Sequence, residues 1–286
     1  MSDKNLSIRY FLYFLISLFI LIFIINIFKE DEIRYSLENY KKIVHKEYLK
    51  YSNEYKNSSE LIYFNEFVKN KQLVKTFKNI NHMNFLDAKK EIYNQLKDSY
   101  LFYKTLDVHD ISFYSSSNNL LLSMQENSKN NNSEIVAEVI LNKKELSSFK
   151  IVDDNYYLLF LKPIFDENLN FLGVINIEFD FTTLIKKLKY NNDFSFSIIA
   201  SNQIKLNENF YINLTEPQKG LVIDNISKSK EFSLITKSHS INSPSIFIPI
   251  LKSLGNENSL YLVAYYLNKD SDIAKIDKYF NVLFVL

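Results

Sequence analysis

The stretch Leu106-Asp107-Val108-His109-Asp110-Ile111-Ser112-Phe113-Tyr114-Ser115, followed by Ser116-Ser117-Asn118-Asn119 and then Leu120-Leu121-Leu122-Ser123-Met124, decides the fold. Before it, apolar residues recur at helical spacing: Leu86, Ile92, Tyr93, Leu96 and Tyr100 form the inner face of a helix expected over residues 84–103. After Asp107 the period changes. Ile111 and Phe113 alternate with Ser112, Tyr114 and Ser115, and a residue-by-residue alternation is the mark of a strand with two unlike faces. A run of Ser and Asn between two such segments is a turn, so the stretch reads as strand, polar turn, strand.

Downstream, residues 126–133, with Asn130-Asn131-Asn132, read as a loop, and residues 134–142 as a short helix. Three strand-like runs follow at 146–152, 156–165 and 171–179, separated by Asp153-Asp154-Asn155 and by Asp166-Glu167-Asn168. Helices on an antiparallel sheet in this order make a PAS-like α+β unit. Residues 182–190 look helical, and strand signals resume at 194–200, 232–238, 245–251 and 259–267, a second and smaller sheet. Pro244 and Pro249 demote the third of these runs to an edge strand or a bulge, because proline donates no ladder hydrogen bond. At 270–286 the spacing of Ile273, Ile276, Phe280 and Leu283 is helical again.

Upstream, residues 33–55 carry Ile33, Leu37, Tyr40, Val44, Tyr48, Tyr51 and Tyr55 at steps of 4, 3, 4, 4, 3 and 4, one stripe of a long amphipathic helix. The stripe packs on its own domain or forms a dimer seam, and both can hold along different thirds of the helix. This stalk continues an apolar run at 10–28, in which only Tyr10, Tyr13, Ser17 and Asn26 are not Leu, Ile or Phe. As a helix that run reaches about 28 Å, matching a hydrocarbon core of about 30 Å. Its Leu, Ile and Phe content gives an insertion free energy on the order of −5 kcal/mol. No small-residue cleavage site follows it, since Asn26-Ile27-Phe28-Lys29-Glu30 is the wrong chemistry for a signal peptide. Basic residues stand on both sides, Lys4 and Arg9 before, Lys29, Arg34, Lys41, Lys42 and Lys46 after, so charge alone does not orient the span.

Composition narrows the function classes. The chain has 286 residues, no Cys, and three glycines, Gly173, Gly220 and Gly255, standing far apart. Thiolate metal sites, thiol nucleophiles and disulfides are excluded, and so are the glycine-rich phosphate loops and the nucleophile elbow. A net charge of +1 spread over the chain argues against a nucleic-acid partner, which needs a concentrated basic surface. The histidines His45, His82, His109 and His239 lie too far apart for a helical metal pair, so neither metal nor cofactor is expected. Asp107, His109 and Asp110 form the densest polar cluster, able to orient a base or, more commonly at a helix-to-strand junction, to cap backbone groups. Asp153-Asp154 is explained by a turn. No catalytic set emerges, and the chain is not expected to be an enzyme.

The order of elements resembles a double Cache sensor, the PAS-like extracytoplasmic domain of bacterial sensor kinases, diguanylate cyclases and chemoreceptors. The likeness is carried by residues 106–114 and 120–125, by Val136-Ala137-Glu138-Val139, by Leu161-Lys162-Pro163-Ile164-Phe165 and by Phe171-Leu172-Gly173-Val174-Ile175. In the family these are the first hairpin of the distal sheet, the helix over the pocket and the last two strands. The family often has an Arg with a nearby His in the second strand and another Arg opening the pocket helix, whereas Ser123, Gln125 and Ser133 stand there in this chain. An acidic loop before that helix is replaced by residues 129–132. Guanidinium groups clamp carboxylates bidentately, so their absence implies a neutral or different ligand, or a pocket that has lost its ligand.

The expected organisation is a cytoplasmic N-terminus at 1–9, a transmembrane helix at 10–28, stalk and distal helices at 29–105, and a membrane-distal Cache subdomain at 106–190. A membrane-proximal one follows at 191–268, and a returning helix with the start of a possible second span at 269–286. The expected function is the ligand-sensing region of a receptor in the bacterial inner membrane, its bulk periplasmic. It would dimerise through the stalk, and with no kinase, cyclase or methyl-accepting coiled coil within these 286 residues the expected receptor is truncated or split, or acts as the stand-alone partner of another membrane protein, a separate output protein. The alternative is a single-pass envelope structural or assembly protein using its PAS-like domain for protein contacts. Aromatic walls with a few polar tips suit a small-molecule cavity, and Tyr114, Ser123, Gln125, Ser133 and Tyr157 are the expected lining residues.

Overall fold

The structure is a computed structural model, and it describes residues 3–80, 83–125, 133–152, 155–190, 194–200, 216–228, 230–238, 241–252, 259–266 and 272–285. Residues 126–132 of the loop expected at 126–133, the Asp153-Asp154 turn and the final Leu286 lie outside the described residues, as do His82 and His239, while Ser133 opens a helix.

Helix α1 (Asp3–Tyr63) carries the apolar run and the stalk without a break. Its 10–28 segment is long and apolar enough to cross a membrane, with no part of the most apolar window buried inside the protein. Beyond it the stripe turns inward: Tyr40, Val44, Tyr48, Tyr51 and Tyr55 are buried in the main hydrophobic cluster. The helix then widens into a π-helical turn (Phe64–Lys69) and stops at Asn70, whose side chain accepts the Leu73 backbone N–H at 3.1 Å and starts α2 (Lys71–Asn79). Residues 59–77 thus fall in three segments, the end of α1, the π turn and α2, because Asn70 offers the cap that a new helix needs. Within the π turn, Glu66 is buried and accepts a 2.6 Å hydrogen bond from the Tyr103 hydroxyl. Asn84 caps α3 (Phe85–Lys104) in the same way as Asn70, accepting from Leu86 N–H at 3.0 Å.

The opening stretch forms β1 (Val108–Ser115) and β2 (Leu120–Ser123), joined by the polar turn, in which Asn118 adopts φ 65°. Helix α4 (Ser133–Asn142) follows, then β3 (Leu146–Val152), β4 (Asn155–Phe165) and β5 (Phe171–Asp180). These strands make one antiparallel sheet in the order β2-β1-β5-β4-β3. One face, with Phe113, Phe160, Ile177 and Phe179, packs on the stalk side, where the Phe179 ring stacks on Tyr55 at 4.7 Å between centroids. The opposite face meets α4 through Tyr114, Leu159, Leu161 and Val174 against Val136 and Val139.

Helix α5 (Phe181–Tyr190), capped by Asp180, which accepts from Thr182 N–H at 2.6 Å, leads to a second sheet. Its strands are β6 (Phe194–Ala200), β7 (Phe232–Ser238), β8 (Ile241–Lys252) and β9 (Ser259–Tyr266), in the order β6-β9-β8-β7. Helix α6 (Glu216–Ser227) covers it with Val222 and Ile226. The proline-bearing strand β8 is central rather than an edge, and its ladder is broken by a register shift between Pro249 and Leu251, the bulge that a missing N–H demands. Helix α7 (Asp272–Val285) runs antiparallel to the stalk: the Tyr40 hydroxyl lies 2.9 Å from Asp272 Oδ2, and Lys29 pairs with Asp277 at 2.6 Å. The molecule is therefore an α+β fold, a long N-terminal apolar helix bearing two antiparallel sheets that resemble tandem PAS-like lobes.

Candidate functional site

Polar residues stand two positions apart in three strands: Asp110 and Ser112 in β1, Ser148 and Lys150 in β3, Asn176 and Glu178 in β5. Alternation sends both members of each pair to one face. Register then brings the pairs together, with Asp110 opposite Glu178, Ser112 opposite Asn176, and Leu159 flanked by Ser148 and Glu178. Asp110, Ser112, Ser148, Asn176 and Glu178 are all fully buried. They occupy the α4-side face of the first sheet, beyond the apolar patch that α4 covers.

Two carboxylates directly opposite on neighbouring strands repel, and burial makes the repulsion costly unless each is compensated. Glu178 is met by the Lys150 ammonium at 2.5 Å and by Asn176 Nδ2, which donates to Oε1 at 2.7 Å and also lies 3.3 Å from Ser112 Oγ. Asp110 accepts from the Ser123 hydroxyl at 2.8 Å and from the Gln125 backbone N–H at 2.9 Å. Lys150 also lies over the Tyr157 ring, 5.3 Å from its centroid, and the Tyr157 ring packs on His109 at 4.4 Å. The field of the pair is felt around it. The Tyr100 hydroxyl, which donates to the His109 carbonyl at 2.9 Å, is pushed up by burial and then by Asp110 and Glu178. Burial pulls the His109 imidazole down, with Asp110 acting in the opposite sense. Asn176 Oδ1, Ser148 Oγ and Gln125 Oε1 are buried with no hydrogen-bond partner among the described residues.

The five residues expected from sequence are spread around this set. Ser123 and Gln125 converge on Asp110, and Tyr157 stands at the opposite end beside Lys150 and His109. Tyr114 lies on the same face but beneath α4, in the apolar patch. Ser133 is exposed at the first turn of α4, where its carbonyl accepts from Asn118 Nδ2 at 2.9 Å. The groups at the centre, Asp110, Ser112, Ser148, Lys150, Asn176 and Glu178, were not among them. Their signal was the paired polar positions inside strands, which become one site only once the strand order is known. A groove of about 610 Å³ between α3 and edge strand β2, walled by Phe85, Leu86, Lys89, Lys90 and Tyr93, ends at Ser123 and Gln125. Among the described residues no three His, Asp or Glu side chains converge as metal ligands.

No protein-family model and no curated protein match this sequence. Similar solved structures include the ligand-binding domain of the Campylobacter jejuni chemoreceptor Tlp3 in complex with L-valine, at 11% identity and TM-score 0.45, covering 86% of this chain and 97% of that one. The periplasmic sensory domain of the C. jejuni chemoreceptor Tlp1 matches at 12% identity and TM-score 0.41, over 81% of this chain and 96% of that one. An extracellular ligand-binding receptor from Desulfohalobium retbaense matches at 12% identity and TM-score 0.40, over 68% of this chain, which spans 39% of the receptor's length. Likeness at this level carries neither a ligand nor an output to this chain.

Proposed function

We propose that this chain is the extracytoplasmic ligand-sensing region of a membrane-anchored bacterial receptor. Residues 10–28 are its anchor, residues 106–190 its membrane-distal sensing lobe and residues 191–268 its membrane-proximal lobe. The observation that carries this reading is a pair of adjacent residues in β5. Glu178 faces the buried polar set, while Phe179, pointing the other way, stacks on Tyr55 of the stalk. A ligand that rearranges the polar set therefore acts on a strand whose opposite face is in contact with the helix that enters the membrane. A few kcal/mol of differential binding suffices to shift such a two-state packing. Ser123, Gln125 and Tyr157 line the ligand site, with Tyr114 and Ser133 at its α4 end. The receptor forms a homodimer through the stalk and acts on a separate output protein.

The test is thermal unfolding of the full chain in detergent against a panel of small metabolites, alongside Ser123→Ala. A saturating ligand at 100 times its dissociation constant adds about 2.7 kcal/mol. A compound that raises the midpoint in the wild type and loses that effect in Ser123→Ala supports sensing at this site. A broad panel with no stabiliser favours the assembly-protein reading instead.

A further inference from the structure

A second concave site lies where the stalk ends, against Phe113 of β1, a residue that alternation turns away from Ser112 and the polar set. The wider spiral of the π turn stacks positions four and five residues on over Tyr63, so Tyr63, Phe67 and Val68 share one face. That face is fixed from behind. The Tyr63 hydroxyl donates to the Pro163 carbonyl at 2.8 Å, the Tyr63 and Phe67 rings stack at 5.8 Å, and Phe67 meets Phe77 and Phe113. Another wall is the turn between β4 and β5, where Asp166 accepts from the backbone N–H groups of Asn168 and Asn170 and so sets Phe165 and Glu167 at the rim. Helix α2 completes a groove of about 780 Å³.

Lys71, Lys75 and Lys78 follow one another along α2 at steps of four and three, one helix face, and all three border the groove. Lys78 is answered at one end, 3.5 Å from Asp166 Oδ2 and 3.4 Å from Glu167 Oε1. Lys71 and Lys75 are exposed and make no ion pair among the described residues. A lysine pair on a helix is ordinarily no more than a solvated face. These two instead border apolar ground, with Val74 and Phe67 buried below them and Val68 54% exposed beside them. The groove therefore joins a cationic wall to a preformed aromatic floor.

We propose that this groove binds a small organic acid, its carboxylate held between the Lys71 and Lys75 ammonium groups and its apolar body laid on Tyr63, Phe67 and Phe165. Ammonium and carboxylate meet through charge-assisted hydrogen bonds, and aromatic rings offer stacking area to a flat body. The volume is that of a small-molecule site, and its mixture of an apolar bed with a few charged tips is what such sites carry. The site is separate from the polar set of the first sheet and stands or falls independently of the sensing reading there.

The experiment is calorimetric titration of the full chain in lipid nanodiscs, blanked against empty nanodiscs, with phenylpropionate, phenylpropanol and phenylpropylammonium, which share a body and differ in the charge of the head. Wild type is expected to bind the acid about tenfold more tightly than the alcohol, the worth of one charge-assisted hydrogen bond, and not to bind the ammonium compound. Lys71→Gln/Lys75→Gln is expected to lower the affinity for the acid to that for the alcohol while leaving the alcohol unaffected, a split that a general loss of structure does not give. Val68→Glu, an exposed position on the other wall, is expected to abolish acid binding with the unfolding midpoint unchanged. Acid binding that persists at wild-type strength in either folded variant overturns the proposal. Equal affinities for acid and alcohol in wild type overturn it too, because no charge is then being read, and so does heat no greater than from empty nanodiscs. The variants alter different walls, so if one fails to fold the other still decides.

Discussion

Gly173 has no side chain because there is no room for one: a Cβ on its backbone would lie 2.2 Å from the carbonyl oxygen of Tyr114 on the neighbouring strand. The obstacle is backbone held by ladder hydrogen bonds on both sides, so it cannot swing away as a side chain would. Gly173→Ala is expected to destabilise the chain by about 3 kcal/mol, at the upper end of overpacking costs, and urea unfolding measures it. Close to the candidate site, His109 gives a pH dependence whose sign follows from its burial, the main cause of its lowered pKa. A folded-state pKa below the ordinary 6.5 means that the unfolded chain binds the proton first. Stability is then complete above pH 6.5 and falls as pH drops through the folded-state value, with Asp110 and Asp180 opposing the shift and Lys150 and Lys104 reinforcing it. His109→Gln is expected to flatten the unfolding midpoint below pH 6.5 while leaving it unchanged at pH 8. Residue identity alone did not place this neighbourhood. Asp110 reads in sequence as a cap at a helix-to-strand junction; it became a site residue only because β5, some 65 residues on, sets Glu178 opposite it.

Elements were legible to the extent that their pattern is local. The 4-3-4-4-3-4 stripe of the stalk and the alternation in β1 each need only a dozen neighbouring residues to be read, and both are found where the spacing puts them. Helix α6 went unread because its two buried residues, Val222 and Ile226, are a single i, i+4 pair, too short a stripe to stand above the surrounding polar chain. The central place of β8 was hidden for a different reason. Two prolines argue for an edge, and only the Pro249/Leu251 bulge lets the strand keep partners on both sides. One tertiary contact that ties the stalk to the first sheet has no local signal. Lys162, 5% exposed in β4, donates to Glu60 of α1 at 2.7 Å and to Glu145 beside β3 at 2.8 Å, and lies over the Tyr63 ring. Only the lysine is buried, so removing either partner has unequal effects. Lys162→Met returns two half-exposed carboxylates to water and should cost about 1 kcal/mol, whereas Glu60→Gln/Glu145→Gln strands a buried ammonium and should cost about 3 kcal/mol. Urea unfolding of the two variants side by side settles the order. Acid weakens the Glu145 arm of this strut: hydrogen bonding to Lys162 holds Glu145 below the ordinary carboxylate value, so that arm is intact above that range and is lost as pH falls through the depressed one.

At the scale of the whole molecule, one helix joins everything. Helix α1 enters from the membrane segment, is paired by α7, passes the second sheet and ends under the first, where Tyr55 meets Phe179 and Tyr63 donates to the Pro163 carbonyl at 2.8 Å. Under the proposed function, movement at the first sheet reaches the membrane segment along this helix, with α7 bound beside it through Tyr40–Asp272 and Lys29–Asp277. The level of the membrane follows from the same pair. Lys29 is the first residue after the apolar run, and with residues 10–28 as the anchor proposed above, its bond to Asp277 puts that turn of α7 at the water boundary. Val282 lies five residues on, about 7 Å deeper at 1.5 Å per residue, alongside apolar turns of α1. It is 51% exposed in the protein, yet in a bilayer it should face hydrocarbon, whereas Leu141, 81% exposed at the end of α4, should face the extracytoplasmic space. The chain has no cysteine, so a single introduced one reports alone. In whole cells with a porous outer envelope, Leu141→Cys is expected to react quickly with a maleimide that does not cross the inner membrane. Val282→Cys should react only after detergent removes the lipid. Equal reactivity of both in cells would place the end of α7 clear of the bilayer, and a Leu141→Cys that reacts only after cell disruption would turn the whole molecule to the other side of the membrane.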